Sequence, residues 1–299
     1  MPSLRALADG RHPVVGVVSQ PDRPRGRGRA LEPTPVKALA QERGLDLLQP
    51  DKVGSDDALA WLRAREADLG VVVAFGQFIP KKVRGLPPHG LINAHGSLLP
   101  RYRGAAPVEA SILAGDTRTG VSIMKVEKEM DAGDVCLVRE LEIGPNETAG
   151  ELRPRLAELA AEALVEAIDQ IAAGVASFVA QDHAAASFAP KLDREFARID
   201  WSRPRDEVLC RIRAATPKPG VDLHLRRTGK KLRILAAGPE EGPESPPGRV
   251  DASQGRLRIA ALDGWVCVSR LQAPGKRPVD AAEYLRGARV PENEEIESL

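Results

Sequence analysis

The sequence predicts an α/β fold with a largely parallel sheet in its first half, followed by a small β-barrel in its last third. Three observations carry this. Short apolar runs alternate with amphipathic ones through the first half, the pattern of strands joined by helices. Residues 184–190 are rich in small side chains and read as a linker. Beyond Trp201 the texture changes to short alternating runs separated by glycine- and proline-containing turns, which is how a small barrel reads.

Taken in order, residues 3–8 open the chain as a helix, and residues 13–18 form a buried-strand run of valines. A helix is expected over 35–43, ended by Gly44. Residues 45–48 make a weaker strand, because Asp46 interrupts its apolar side chains. A helix over 56–67 leads to a central strand over 69–75, and a further strand over 90–93 ends in a loop. A helix-like run (105–113) and a strand-like run (120–126) follow. Residues 148–173 form a long helical pattern with an apolar stripe of Leu152, Leu156, Leu159, Ala163, Ile168 and Ile171. Pro154 marks its start or a bend. Barrel strands are expected at 222–225, 232–235, 255–261 and 265–268, with 238–248 as a turn, and Trp201 is expected to pack the domain junction. The division is 1–183, a linker at 184–201, and 202–299. There is no internal repeat.

At 299 residues the chain can bury two cores. No apolar run reaches the roughly 20 residues that span a bilayer, and no signal segment opens the chain, so it reads as cytoplasmic. Cys136, Cys210 and Cys267 are scattered and odd in number, which points to neither a disulfide framework nor a zinc site. His12, His89, His183 and His224 lack ligand spacing and suit surface or packing roles; no metal is expected. Net charge is +1, yet residues 203–233 hold ten basic and three acidic side chains. Such a patch either guides a polyanion or is a solvated face.

The chemistry concentrates in Asn93-Ala94-His95-Gly96-Ser97-Leu98-Leu99-Pro100 and Met130-Asp131-Ala132-Gly133-Asp134. Asn93 and His95 share a face of an extended strand that ends at the carboxyl edge of the sheet, where open α/β sheets place their ligands. Asp131 competes with Glu129 and Asp134 as the carboxylate that returns to the histidine. An amide, an imidazole and a carboxylate together suit acyl transfer without a covalent nucleophile. Alternating Arg23, Arg25, Arg27 and Arg29 lie in a loop punctuated by glycine and proline, which is either solvated surface or a phosphate-neutralising element.

These motifs, with Gly104-Ala105-Ala106-Pro107 and Asp131-x-Gly133, resemble the signature of the folate-dependent formyltransferases. Gln20-Pro21-Asp22-Arg23-Pro24, Gly26-Arg27-Gly28 and Ala197-Arg198-Ile199-Asp200-Trp201 narrow the resemblance to the branch acting on methionyl-tRNA, from about Ser3 to the C-terminus. The resemblance implies a doubly wound, Rossmann-like formyltransferase domain and a C-terminal OB-like barrel. It implies transfer of a formyl group from 10-formyltetrahydrofolate to the amino group of initiator methionyl-tRNA, by a monomer, for translation initiation. Asn93 would hold the formyl oxygen, His95 would manage the proton, and Asp131 would tune His95 and pick the carboxylate role out of its competitors. Ser97, Leu98, Leu99 and Pro100 would wall the folate. Arg23, Arg25, Arg27 and Arg29 would enter the tRNA acceptor arm, with Arg213 and Lys218 as further contacts. Rival readings are a formyltransferase for a sugar or nucleotide amine and a catalytically silent RNA-binding module. The family's first strand and Gly-Thr-Pro turn precede the helix that here begins near Ser3. The expectation is therefore a sheet with open edges beside residues 14–18 and 71–73, and a native start upstream of Met1.

Overall fold

The computed structural model describes residues 1–25, 30–193, 195–288, 290–291 and 294–297. Two compact units are built from interleaved stretches. One takes 1–104, 120–141 and 155–188; the other takes 105–119, 142–154 and 189–299.

In the first unit, Val17–Val18 pairs in parallel with Leu47–Leu48. Gly70–Val72 pairs in parallel with Leu91–His95, against which Arg118–Lys125 runs antiparallel, and Val135–Glu142 lies at the far edge. The sheet is thus mixed, and among the described residues no strand joins the two-stranded piece to the four-stranded one. Val15 and Val73, beside the open edges, remain 42% and 40% exposed. Strands expected over 13–18, 45–48 and 69–75 shrink to two or three residues. The last of these stops where Ala74 turns to φ 46°. Conversely, the motif strand extends through His95 because Arg118–Lys125 continues the ladder opposite Ala94 and His95, although Gly70–Val72 stops opposite Asn93.

Three helix starts follow capping chemistry. Thr34 accepts from the Lys37 N–H at 3.1 Å ahead of Pro35–Glu42, and Ser55 accepts from the Ala58 N–H ahead of Asp56–Arg63. Ahead of Ala149–Ala172, Thr148 and Glu151 cap reciprocally, with N–H bonds of 3.3 and 2.9 Å. This capping box starts the helix before Pro154, which sits inside it rather than at its beginning.

The second unit holds a six-stranded antiparallel sheet. The strands are Val221–His224, Lys231–Glu240, Val250–Asp251, Leu257–Ala260, Trp265–Gln272 and Val279–Asp280. Register shifts near Ala236 bend the long second strand, curling the sheet towards an OB-like barrel. That strand runs through Pro239 to Glu240, so the turn expected over 238–248 begins later. The C-terminal tail closes the sheet. Its backbone bonds Val250 and Gly248 on one side and Arg226 and His224 on the other, at 2.8–3.0 Å. Leu223, Leu225, Leu232, Ile234, Leu257 and Ile259 are almost fully buried beneath it. Two helices that the barrel pattern did not suggest, Arg205–Ala215 and Ala281–Gly287, contribute Val208, Ile212 and Ala281 to this core. Trp201 also packs in this core, so its expected junction role gives way to a place inside one unit. Phe188–Ala189 is a short strand and His183–Ala185 a helical turn, so residues 184–190 are more structured than a linker.

Candidate active site

The site lies in the first unit, around the end of the Leu91–His95 strand. His95 is 6% exposed, and its Nε2 is 2.8 Å from the carbonyl oxygen of Tyr102. A carbonyl only accepts, so Nε2 carries a proton and donates. The other nitrogen, Nδ1, faces Oδ2 of Asp131 at 3.5 Å. The same Oδ2 accepts the Gly104 N–H at 2.9 Å. In the neutral ring, Nδ1 and the carboxylate are therefore two acceptors looking into the same space, arranged to receive a donor.

Asp131 reaches this position from a tight turn. Its φ is 53°, a left-handed conformation that aspartate tolerates better than most residues with a Cβ. Gly133 explains the Asp-x-Gly spacing: a Cβ there would lie 2.1 Å from the Lys125 carbonyl oxygen. Asn93 sits one residue pair back on the same strand face, opposite Met124. It is half-buried, and among the described residues no hydrogen bond holds its side-chain amide. Its two N–H groups are free for a ligand.

The Ser97–Pro100 loop is pinned from behind. Ser122 Oγ donates to the Ser97 carbonyl at 2.8 Å and accepts the Leu99 N–H at 3.1 Å. Ser97 is fully buried, and its hydroxyl donates to the Arg101 carbonyl. Ser97 therefore presents no surface to a ligand and shapes the loop from behind, while Leu98, Leu99 and Pro100 are half-exposed. That gives a rigid loop with apolar side chains, suited to lie against a flat ring system.

The arginine segment is a hairpin rather than a plain loop: Arg23–Arg25 pairs with Ala30–Glu32. Gln20 donates to the Phe75 carbonyl at 2.7 Å, and Gln49 donates to the Gln20 carbonyl at 2.8 Å, fixing its stem. Hydrogen bonds from Gln49 and Lys37 hold the Asp22 carboxyl below its ordinary range. Arg23 is exposed; Arg27 and Arg29 lie outside the described residues, and of Arg25 only the backbone is described. In the second unit Arg213 is half-buried, contacting the Glu147 carbonyl at 3.4 Å and Cys210 Sγ at 3.2 Å, whereas Lys218 is exposed. Among the described residues no cluster of three or more metal-ligating side chains occurs.

Sequence reasoning named Gly104 only within a motif and missed Tyr102, Arg103 and Gln181; these four hold His95 or the Asp131 turn in place. Tyr102 and Gly104 act through backbone groups, which no side-chain motif reveals. His183, expected in a surface or packing role, lies 3.3 Å from the buried Arg103 guanidinium through its Nδ1.

Residues 2–168 match the formyl transferase family model, and residues 191–289 match that for the formyl transferase C-terminal domain. The chain belongs to the formyl transferase family. The methionyl-tRNA formyltransferase of Xanthomonas axonopodis pv. citri is 45% identical to it, over 97% of this chain and 94% of that protein. The methionyl-tRNA formyltransferase of Symbiobacterium thermophilum is 42% identical, over 96% and 89%. Among solved structures, an N-formyltransferase of Helicobacter canadensis, in complex with folinic acid and dTDP-3-aminofucose, matches with a TM-score of 0.67. It covers 89% of this chain and 93% of that one at 16% identity, a likeness of fold. The formyl transferase assignment, the α/β first half and the OB-like second half thus agree with the expectations from sequence.

Proposed function

We propose that this formyl transferase moves the formyl group of 10-formyltetrahydrofolate to the amino group of initiator methionyl-tRNA. The observation that carries the chemistry is the pairing of His95 Nδ1 with Asp131 Oδ2 at 3.5 Å while Nε2 is committed to Tyr102. The substrate reading is supported by relatives of that name at 42–45% identity over nearly the whole chain.

The pinned loop and the free Asn93 amide fit a folate bearing a carbonyl group: Leu98, Leu99 and Pro100 would contact its rings, and Asn93 would point its N–H groups at the formyl oxygen. When bound, the folate supplies an activated one-carbon unit at the oxidation level of formate. Donors fixed before the reaction, aimed at an oxygen that gains charge, stabilise that charge without reorganisation. The attacking α-amino group has an ordinary pKa of roughly 7.7–8.0, so a useful fraction is already neutral near pH 7. Its N–H bonds are the donors that the His95–Asp131 pair can accept. As the new C–N bond forms, a proton moves from the amine to Nδ1, giving an imidazolium beside the Asp131 carboxylate; the formyl carbon then gives up its bond to the folate nitrogen, and His95 returns the proton to that departing nitrogen. Gly104 keeps that carboxylate oriented. Most of the rate enhancement is assigned to positioning.

Residues 1–183 would carry catalysis, 184–201 would connect, and 202–299 would contribute tRNA binding. Arg23, Arg25, Arg27, Arg29 and Lys218 would contact phosphates, and Arg213 would act more through packing. The protein is proposed to act as a cytoplasmic monomer; among the described residues no helix is long and apolar enough to cross a membrane. The test is formyl transfer from 10-formyltetrahydrofolate to initiator methionyl-tRNA, run beside a dTDP-amino-sugar acceptor. Transfer to the tRNA that disappears in His95→Ala supports the proposal. Transfer to the sugar alone, or to neither, refutes it.

A further inference from the structure

Outside the three residues that face the reaction, the first unit holds a second polar cluster with no surface role. Arg103 is 4% exposed and Gln181 8%. Arg103 Nε and Nη2 both donate to Gln181 Oε1, at 3.1 and 2.7 Å. Gln181 Nε2 donates to two carbonyls of the catalytic turn, that of Asp131 at 2.9 Å and that of Gly133 at 2.7 Å. The orientation of this amide is forced. A guanidinium only donates and a carbonyl only accepts, so the oxygen must face Arg103 and the nitrogen must face the turn.

We infer that Gln181, locked by Arg103, is a positioning residue that sets the Asp131 carboxylate against His95. Three consecutive residues tie the site together. The Tyr102 carbonyl accepts from His95, the Arg103 side chain orients Gln181, and the Gly104 N–H binds the Asp131 carboxylate. The strip is itself anchored, since the Tyr102 N–H donates to Ser187 Oγ at 2.9 Å and the Arg103 N–H to the Ser187 carbonyl at 2.8 Å. His95 and Asp131 are therefore held by one short strip of backbone, and Gln181 is the side chain that binds the Asp131 turn to it. Without Gln181, the half-buried Asp131 carbonyl and the buried Gly133 carbonyl lose their donor, just where Asp131 is in a left-handed conformation. The turn would then relax, and the carboxylate would move relative to Nδ1.

This inference rests on the proposed role of Asp131, and the experiment separates the two. Gln181→Leu keeps the volume and removes both donors. Gln181→Glu keeps the acceptor for Arg103 but points a carboxylate at two carbonyls. Formyl transfer is measured at saturating and limiting substrate, in the wild-type and Asp131→Asn backgrounds, on protein whose folding is checked by circular dichroism. Displacing a reacting group by a fraction of an ångström to an ångström predicts a kcat loss of roughly ten- to hundred-fold, with KM for the tRNA and for the folate within about twofold. In the Asp131→Asn background either Gln181 substitution should cost less than about twofold, because the group it positions is gone. If Gln181→Leu does not fold, Gln181→Glu, which retains the Arg103 pair, decides. An equal loss in both backgrounds, a loss confined to KM, or full activity in both Gln181 variants overturns the inference and leaves the Asp131 role intact. Full activity in Asp131→Asn overturns the role of Asp131, and this inference with it.

Discussion

The sharpest expectation concerns Asp131→Asn. Asparagine keeps the size of the side chain and an oxygen that can accept the Gly104 N–H, so the turn loses only the charge-assisted part of that bond, about 1 kcal/mol. The larger loss appears only during the reaction. While His95 is neutral, Asp131 has no cation to stabilise; once Nδ1 has taken a proton, an imidazolium stands 3.5 Å from the carboxylate. With an effective dielectric constant near 20, Coulomb's law gives up to about 5 kcal/mol at that separation. Asp131 is 15% exposed, so water screens part of this, and about 3–4 kcal/mol is a reasonable share. That corresponds to a loss of roughly 10²–10³ in the chemical step. The measurement is single-turnover formyl transfer with tRNA and folate both saturating, which isolates chemistry from binding and release. A rate within tenfold of wild type, or a loss that appears only in KM, would refute the argument that the carboxylate acts on a developing cation.

Three further predictions test other parts of the molecule. Gly133→Ala should destabilise the protein by roughly 1–3 kcal/mol in urea unfolding, since the new Cβ would fall 2.1 Å from the Lys125 carbonyl oxygen and backbone must move. In the tail, burial alone would push the Glu294 carboxyl up, but N–H bonds from Arg227, Glu295 and Thr228 hold it below its ordinary value of 4.5. A depressed folded-state pKa gives stability that is complete above about pH 4.5 and is lost as pH falls through the folded value. The gap in melting temperature between wild type and Glu294→Gln should therefore be widest near pH 7 and close towards pH 3; a gap independent of pH contradicts it. Arg23→Ala should weaken tRNA binding and lower the slope of log K against log salt by about 1; an unchanged slope removes Arg23 from the phosphate contacts.

How much of the site could be read from the sequence depends on the distance over which each residue acts. Asn93 and His95 were legible because strand geometry puts alternate residues on one face, and the strand does continue through both. Asp131 needed the Asp-x-Gly pattern, and the close approach of Gly133 to Lys125 gives that pattern its physical reason. Gln181 was not legible. It acts through two side-chain bonds to a turn 50 residues earlier, and such bonds leave no periodicity in its neighbourhood. The same limit applied to the fold. Apolar runs announced strands, but strand length is set by which neighbour continues the ladder, so valine runs shrank where a partner was absent. In the barrel, Gly238 and Pro239 read as a turn, yet pairing with Cys267 and Val266 carries the strand through them.

The two buried polar assemblies, one around Asp131 and one around Glu294, follow one rule, and it explains why backbone groups carry so much of the site. A catalytic carboxylate must be ionised and oriented, yet free to meet a cation only during the reaction. An arginine in direct contact with Asp131 would orient it but would neutralise it beforehand, weakening its effect on His95. A backbone N–H orients without bringing a full charge, and Gly104 does this for Oδ2. The cation of the cluster, Arg103, is set one residue further away and acts on Asp131 only through the neutral amide of Gln181. Glu294 is handled in the same way: backbone N–H groups hold a buried carboxylate. Its role there is to fix the Arg227–Thr228 turn rather than to react. On this argument, moving the cation inward should be harmful even though it adds a favourable ion pair. Gln181→Lys, whose ammonium would reach the Asp131 turn but would also stand against an Arg103 guanidinium that has lost its acceptor, should lower kcat as well as the melting temperature. A variant with both stability and kcat preserved would show that the separation of charge from carboxylate has no catalytic value.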